Sequence, residues 1–357
     1  MTHSFIHFQE VSKSYGPIQV IEQLNLEVEK GEFLSLLGPS GSGKTTILMM
    51  LAGFEAPSAG TIWLDGQRIH ELPPHQRGMG VVFQNYALFP HMTVAENVAF
   101  PLQMRGLPRA EIATRVAAAL DRVQLTHLGS RKPEQLSGGQ QQRVALTRAL
   151  VFEPKVVLMD EPLGALDKQL REQMQLEIRD LHRRLGLSIV FVTHDQSEAL
   201  TMSDRIAIFD KGRIAQIGTV SEVYDQPASQ FVSQFIGETN LLAGTIAGRS
   251  GGEMSIALGE GILVTAAPPV APPADATAVV LSIRPERLAL GAAAAHHANR
   301  LTATVDDVVY QGDHLRLHLS CGTLKLVARS ERSVAAPAIG STTAVGFAAT
   351  DCSVFAG

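Results

Sequence analysis

Runs of apolar residues along the first part of the chain predict an α/β domain. Leu24, Leu26 and Val28 alternate with polar residues, which is the pattern of a strand with one buried face. The uninterrupted apolar run 33–37 predicts a fully buried strand that leads into Gly38. Further strand-like runs, with helical patterns between them, occur at 80–83, 156–159, 189–192 and 206–209. Because strands that alternate with helices form parallel sheets, we predict an α/β core with a largely parallel central sheet.

A helical segment interrupts this alternation between two of the strand-like runs. Thr93 and Glu96 have the spacing of a capping box, and Pro108 opens a second segment with helical periodicity. Ser137 is placed to cap a third helix. We therefore predict a helical subdomain at about residues 87–153.

The composition changes after about residue 237, where alanine and proline become frequent. Short alternating runs predict strands at 301–305, 315–319 and 324–327. The prolines within 268–273 predict a semi-rigid loop. Since 357 residues exceed what one hydrophobic core usually organises, we predict an α/β domain at 1–236 and a small all-β domain at 237–357.

Composition and charge indicate a globular protein and exclude some partners. Hydrophobic residues make up 45% of the chain and charged residues 18%, which is enough apolar material for a buried core. The net charge is −5 and no run of five Lys or Arg occurs, which argues against nucleic acid as a partner. The two cysteines, Cys321 and Cys352, lack metal-ligand spacing and predict free structural thiols in a reducing compartment.

Neither the start of the chain nor its late uncharged stretch predicts insertion into a membrane. The first ten residues lack the basic start and apolar core of a secretory signal, which favours the cytoplasm. The uncharged stretch 333–350 contains Pro337, Gly340 and Gly346, and it falls short of the roughly 20 apolar residues of a membrane span. We therefore expect a soluble chain.

The segment GPSGSGKTT, residues 38–46, has the phosphate-loop pattern of Gly, four residues and Gly-Lys-Thr. It lies between a predicted strand and a predicted helix, which is the context that this pattern requires. Its glycines allow backbone N–H groups to surround phosphates, and the helix N-terminus adds partial positive charge. In this arrangement Lys44 reaches the β- and γ-phosphates and the Thr45 hydroxyl ligates Mg²⁺. The sequence thus predicts a nucleotide site.

Acidic residues and a histidine follow two of the predicted parallel strands. The run VVLMDE ends in Asp160 and Glu161, and the run SIVFVTH ends in His194. Open α/β sheets bind ligands at the carboxyl ends of their strands, so these side chains belong to one edge. We predict that Asp160 holds Mg²⁺, that Glu161 is the general base toward water, and that His194 contacts the γ-phosphate.

The segment LSGGQ, residues 136–140, places a hydroxyl and two glycines at the start of a predicted helix, where an anion can bind. Together with the phosphate loop, the Asp160-Glu161 pair and His194, this segment resembles the ATP-binding-cassette ATPases. The resemblance covers roughly residues 4–236. It implies a P-loop NTPase cassette with a parallel-core sheet and a helical subdomain, and the cofactors ATP and Mg²⁺.

The resemblance implies further roles. Tyr15 looks like the aromatic residue that stacks on adenine, although a tyrosine at the edge of the core is the alternative interpretation. Gln84 resembles the glutamine that touches Mg²⁺ and the attacking water. In the family, the LSGGQ segment meets the γ-phosphate bound by the opposite subunit, and Asp167 couples the two sites. A single motif set therefore implies a homodimer. Gly164 stands where many relatives have Ser, a mild departure.

The implied sets of site residues overlap. The catalytic residues are Lys44, Gln84, Glu161 and His194. The Mg²⁺ ligands are Thr45, Gln84 and Asp160. The residues expected to bind ATP are Tyr15, Gly38, Pro39, Ser40, Gly41, Ser42, Gly43, Lys44, Thr45, Thr46, Ser137, Gly138, Gly139, Gln140 and Asp167.

Two more segments resemble importer ATPases. Residues 85–100 are similar to the region that holds a helix of the membrane-spanning partner, and we predict an apolar groove formed by Leu88, Phe89, Pro90 and Met92. Ordinary packing of the helical subdomain is the alternative. The segment LSIRPERLAL, residues 281–290, resembles the small OB/TOBE-like β-barrel appended to such ATPases.

Through FQNYALFPHMTVAENVAF, residues 83–100, and YQGDHLRLHL, residues 310–319, the chain most resembles the spermidine/putrescine type. It implies the ATP-hydrolysing subunit of a polyamine or organic-cation importer at the cytoplasmic face of the plasma membrane, with permease subunits and a solute-binding protein as partners. Importers of ferric iron, sulfate, thiosulfate, phosphonates or sugars stay open as alternatives. A non-transport ATPase of this family is a further alternative, although it usually carries tandem cassettes or basic insertions. His314 and His318 share one face of a predicted strand, but no third metal ligand is evident.

Overall fold

The computed structural model describes residues 4–268, 278–334 and 336–357. The chain divides into two compact units, Met1–Val220 and Ser221–Gly357. The predicted domain boundary after residue 236 stays a prediction. Of the predicted proline loop at 268–273, residues 269–273 lie outside the described residues.

Two sheets form the frame of the first unit. Its strands are β1 (Ile6–Tyr15), β2 (Ile18–Val28), β3 (Phe33–Leu37), β4 (Ala59–Leu64), β5 (Gln67–Arg68), β6 (Met79–Val82), β7 (Val156–Asp160), β8 (Ser188–Thr193), β9 (Arg205–Asp210) and β10 (Arg213–Thr219). The central sheet has the order β10-β9-β3-β8-β7-β6, and only β10 runs antiparallel to its neighbour. Strands β3, β7 and β8 are buried along their whole length because both faces of the sheet are covered. The predicted, largely parallel sheet is confirmed.

The second sheet of this unit is antiparallel, in the order β2-β1-β4-β5. The predicted alternation in β2 is confirmed, since Leu24, Leu26 and Val28 are buried while the residues between them are exposed. Ile47 and Leu48 of the first helix share one core with these strands and with the central sheet.

The helices of the first unit are α1 (Lys44–Ala52), α2 (Val94–Met104), α3 (Arg109–Arg122), α4 (Gly138–Leu150), α5 (Lys168–Leu185) and α6 (Gln196–Met202). Helices α2, α3 and α4 share a core that includes Val98, Ile112 and Val144. The predicted capping box of α2 is confirmed: Thr93 Oγ1 accepts from the Glu96 N–H at 3.2 Å, and Glu96 Oε2 accepts from the Thr93 N–H at 2.7 Å.

Antiparallel strands dominate the second unit. Its elements are α7 (Val220–Asp225), α8 (Gln230–Phe235), β11 (Asn240–Ser250), β12 (Glu253–Ala257), β13 (Leu263–Ala266), β14 (Ala278–Ile283), β15 (Ala289–Leu290), β16 (Asn299–Tyr310), β17 (His314–Cys321), β18 (Leu324–Glu331), β19 (Thr342–Phe347) and β20 (Cys352–Ala356). The two five-stranded sheets have the orders β13-β12-β11-β14-β20 and β15-β19-β16-β17-β18. They share one core around Leu281, Leu317 and Phe347. The predicted all-β C-terminal fold is thereby confirmed, and both cysteines are buried free thiols.

Candidate functional site

The glycine-rich loop joins the end of β3 to the start of α1. Gly43 caps α1 with a left-handed backbone, at φ 96°. A Cβ atom on Gly43 would lie 2.3 Å from Ile21 Cδ1, and one on Gly38 would lie 2.6 Å from the Phe209 carbonyl oxygen. Glycine is therefore required at both positions. The crest of the loop, Pro39 to Gly41, is exposed and leaves the N-terminus of α1 open to an anion.

Lys44 is the buried cation of this loop. Its Nζ donates to the carbonyl oxygens of Gly38 and Pro39 at 2.8 and 2.9 Å. Burial lowers the pKa of this ammonium, and the nearby Glu161 and Asp160 carboxylates oppose that effect. An ammonium held inside the loop is a strong donor to phosphate oxygens, so the loop fits a polyphosphate.

Beside it, Thr45 and Asp160 present two oxygen donors. Thr45 Oγ1 donates to Asp160 Oδ1 at 3.0 Å. Asp160 ends β7 and is buried, and this burial raises the pKa of its carboxyl group while the Thr45 hydrogen bond opposes the rise. A hydroxyl and a carboxylate side by side are ligands that Mg²⁺ accepts, so the donor set fits this ion.

Three predicted catalytic side chains meet at the carboxyl edge of the central sheet. Gln84 follows β6, Glu161 follows β7, and His194 follows β8. Gln84 Nε2 donates to Glu161 Oε2 at 3.3 Å, and His194 Nδ1 lies 3.1 Å from Glu161 Oε1. The Glu161 carboxylate is therefore held between an amide and an imidazole, as a base that orients water would need to be.

The LSGGQ segment and Asp167 form a second group at two helix N-termini. Ser137 caps α4 in a capping box with Gln140, and Asp167 caps α5 by accepting from the Leu170 N–H at 3.0 Å. A Cβ atom on Gly139 would lie 2.9 Å from Leu170 Cδ2, so a side chain there would push the two helix starts apart. Among the described residues, no hydrogen bond or ion pair joins this group to the glycine-rich loop.

Tyr15 and the predicted groove residues are partly or fully exposed. Tyr15 ends β1 with 45% of its surface exposed, and the Lys13 ammonium lies 4.7 Å from its ring centre. Leu88 and Met92 are half-buried, and the ring of Phe89 lies 4.7 Å from that of Phe100. These positions allow contact with a ligand or partner.

The structure also reveals residues that the sequence analysis missed. Arg171 lies beside Asp195 and Glu198, directly behind His194. Arg148 of α4 donates to the carbonyl oxygens of Tyr86 and Ala87, just after Gln84. The only signal in the sequence is that each charged residue lies within a few positions of a motif.

No metal cluster is associated with His314, whose Nδ1 lies 2.7 Å from Asp313 Oδ1. In the described part of the chain, no three His, Cys, Asp or Glu side chains are grouped to hold a metal ion. Across 4–268, 278–334 and 336–357, no helix has the length and apolar character needed to cross a membrane.

Comparison with known families identifies two matching regions. Residues 21–164 match the family described as ABC transporter, and residues 281–355 match the family described as TOBE domain.

Individual proteins match over larger parts of the chain. The spermidine/putrescine import ATP-binding protein PotA of Rubrobacter xylanophilus is 46% identical over 356 residues, which cover 99% of this chain and 94% of that protein. The protein of the same name from Thermobifida fusca is 50% identical over 312 residues, covering 86% of this chain and 81% of that protein. The dimeric post-hydrolysis structure of the ATP-binding cassette MJ0796, bound to ADP and Pi, is 32% identical with a TM-score of 0.54, and covers 60% of this chain and 98% of that chain.

Proposed function

Since this chain belongs to the ATP-binding-cassette family of transporter ATPases, we propose that it is the ATP-hydrolysing subunit of an importer for spermidine, putrescine or related polyamines. The family and the fold class predicted from the sequence, a cassette followed by a TOBE-like domain, are thereby confirmed. The observation that supports the cargo is that relatives matching nearly the whole chain, including its β-rich second unit, are named for polyamine import.

Within this proposal, one ATP binds across the glycine-rich loop and α1. Lys44 and the loop backbone hold the β- and γ-phosphates, and the exposed ring of Tyr15 stacks on adenine. Thr45 and Asp160, which lie side by side, would hold Mg²⁺ together with Gln84. The ion would neutralise charge on the phosphates.

Glu161 acts on the attacking water. Its carboxylate accepts the water proton as the water oxygen attacks the γ-phosphorus and ADP leaves. Gln84 and His194 keep the carboxylate in place through the contacts at 3.3 and 3.1 Å. His194 is also exposed enough to contact the γ-phosphate.

A second copy of the chain completes the site. Ser137 to Gln140 and Asp167 are separate from the glycine-rich loop of their own chain, which supports their contact with ATP in a partner subunit. The dimeric cassette at 32% identity supports the same arrangement. In a symmetric homodimer both sites are shared in this way.

The partners that convert hydrolysis into transport are permease subunits in the plasma membrane and a solute-binding protein. Leu88, Phe89 and Met92 are half-buried and Pro90 is exposed, and all four follow closely after Gln84, so a permease helix that contacts them would sense the state of the site. From this proposed contact we infer that the chain is peripheral, at the cytoplasmic face of the membrane.

The proposed cargo is tested by purifying the chain with its membrane partners in proteoliposomes. We expect spermidine or putrescine, presented with the solute-binding protein, to stimulate ATP turnover. Stimulation by ferric iron, sulfate, a phosphonate or a sugar, without stimulation by polyamines, would contradict the cargo assignment.

The docking surface is tested by Phe89→Ala. We expect weaker permease binding and loss of stimulated turnover while basal ATP hydrolysis persists. Phe231→Ala, a half-buried aromatic residue of the second unit, is the control. Unchanged permease binding in Phe89→Ala would exclude this surface.

A further inference from the structure

A charge cluster behind His194, half-buried at Arg171 and Asp195 and buried at Glu198, has no part in the chemistry described so far. Its centre is Arg171, on the second turn of α5. Arg171 Nη1 donates to Asp195 Oδ2 at 3.3 Å, and Arg171 Nε lies 3.9 Å from Glu198 Oε1. Arg171 Nη2 donates to the Leu166 carbonyl oxygen at 3.0 Å. One guanidinium group therefore connects the segment before α5 with the start of α6.

On the α6 side, the cluster surrounds the backbone of His194. Glu198 is 3% exposed, and its Oε2 accepts from the Thr193 hydroxyl at 2.6 Å. The Asp195 N–H donates to the same hydroxyl at 2.9 Å. The residues before and after His194 are thus both tied to Arg171 or to its partner Glu198.

On the α5 side, the same guanidinium holds the residue before Asp167. Leu166 is buried, and a Cβ atom on Gly138 would lie 3.4 Å from its side chain. If a partner subunit displaced Asp167 or the LSGGQ segment, the Leu166 carbonyl group, which accepts from Arg171, would therefore shift as well.

The cluster is also incompletely bonded. Arg171 Nε is buried and has no hydrogen-bond partner within the described residues. A cavity of about 40 Å³ is lined by Glu161, Gly164, Arg171, His194 and Glu198, among others. Buried donors without partners are rare, and here a small approach of α6 to α5 would bring the Glu198 carboxylate within bonding distance.

We propose that Arg171 is a positioning residue that transmits contact of the partner subunit at Asp167 to His194, and so sets the position of the imidazole beside Glu161. This inference rests on the proposed shared ATP site. It assigns Arg171 no contact with nucleotide.

The test compares Arg171→Ala and Arg171→Lys with Arg184→Ala, which removes an exposed arginine of the same helix that forms a local ion pair with Asp180. For Arg171→Ala we expect kcat to fall about tenfold or more with KM for ATP changed less than about twofold, together with loss of cooperativity in ATP. We expect Arg171→Lys to be intermediate, because a compact ammonium keeps the charge but lacks the planar fork with which the guanidinium reaches its three partners. Low-millimolar guanidinium should partly restore Arg171→Ala and should leave Arg184→Ala unchanged.

The outcomes distinguish failure of the positioning role of Arg171 from failure of the proposed function. If Arg171→Ala is less stable but hydrolyses ATP at the normal rate per folded molecule, with normal cooperativity, the positioning role is wrong. If the wild-type chain itself fails to hydrolyse ATP, the proposed function fails instead. Should Arg171→Ala not fold, Glu198→Gln tests the same link, since it keeps an acceptor for the Thr193 hydroxyl but removes the charge that faces Arg171; unchanged kcat in that variant would also overturn the inference.

Discussion

Glu161 has a backbone conformation that few residues with side chains adopt. Its φ is 44°, in the left-handed region, which for a non-glycine residue costs on the order of 1 kcal/mol or more. The Glu161 N–H donates to the Val192 carbonyl oxygen at 2.9 Å, so the neighbouring strand holds this conformation. In this conformation the carboxylate contacts Gln84 and His194.

Replacing Glu161 by Gln tests its role as the base. The amide is nearly isosteric but cannot accept the water proton, so we expect hydrolysis to slow by about 10² or more while ATP binding survives. Rapid-quench turnover and equilibrium binding of a fluorescent ATP analogue measure the two effects, with Glu172→Gln on the exposed face of α5 as the control. A rate near that of the wild type would remove Glu161 from this role.

Replacing Lys44 by Ala is expected to weaken nucleotide binding and turnover together. The variant loses the ammonium that the carbonyl groups of Gly38 and Pro39 hold in the loop, and we expect ATP affinity to fall about tenfold or more. Calorimetric titration with ATP measures this, and Lys155→Ala, at an exposed ion pair with Asp65, is the control. Unchanged affinity in Lys44→Ala would contradict the phosphate assignment.

At the scale of single residues, the positions of the motif side chains at strand ends could be predicted from the sequence. Asp160, Glu161 and His194 were predicted to lie together because parallel strands end at one edge, and the structure brings them there. Arg171 and Glu198 were missed. Their contact depends on how α5 packs against α6, which no local pattern encodes.

At the scale of elements, the segment from Tyr86 to Thr93 is held by two buried polar side chains. Asn97 Nδ2 donates to the carbonyl oxygens of Phe89, Met92 and Thr93, and its Oδ1 accepts from the Phe89 N–H. Arg148 binds the other end of the segment, where Tyr86 and Ala87 both have positive φ. The proposed permease surface is thus bonded to both α2 and α4, and α4 begins at the LSGGQ segment.

Asn97→Ala tests how firmly this segment is held. The change leaves four backbone groups without their buried partner, and we expect the free energy of unfolding to fall by about 2–4 kcal/mol. Urea denaturation measures the loss, with the exposed Asn85→Ala as the control. A change below about 0.5 kcal/mol, the range of ordinary surface substitutions, would contradict the tight fixation.

The sequence predicted strongly patterned elements better than weakly patterned ones. The strands predicted at 156–159 and 189–192 are present and extend by a residue or two. The two-residue strand β5 and the six-residue helices α7 and α8 were not predicted, because elements so short show no period. In β11, glycines and alanines break the apolar alternation on which such a prediction depends.

At the scale of the whole molecule, the two units have separate cores, and each matches a different family. The change in composition after residue 237 was enough to predict two kinds of domain. The proposed polyamine cargo could be predicted only from the resemblance to a transporter family, since in such transporters other subunits recognise the solute. No residue in the cassette motifs encodes it.

The proposed shared site predicts dimerisation that depends on nucleotide. We expect Glu161→Gln, in which binding should survive while hydrolysis is slowed, to double in mass when ATP and Mg²⁺ are added and to remain monomeric with EDTA. Light scattering coupled to size exclusion measures the mass. When Ser137→Arg is combined with Glu161→Gln, the dimer should be abolished. Ser130→Arg, at an exposed position of the helical subdomain, should leave the dimer intact in the same background. A dimer that persists in the Ser137→Arg variant would place the LSGGQ segment away from the interface.

The burial of both cysteines has a practical consequence. Burial raises the pKa of the Cys321 thiol, and it raises that of Cys352 to about 12, so neither sulfur is readily ionised for alkylation. The chain has no other cysteine. A thiol introduced at an exposed position such as Lys168 would therefore be the preferred target of a maleimide dye or nitroxide, and the native chain is a ready background for distance spectroscopy on the working transporter.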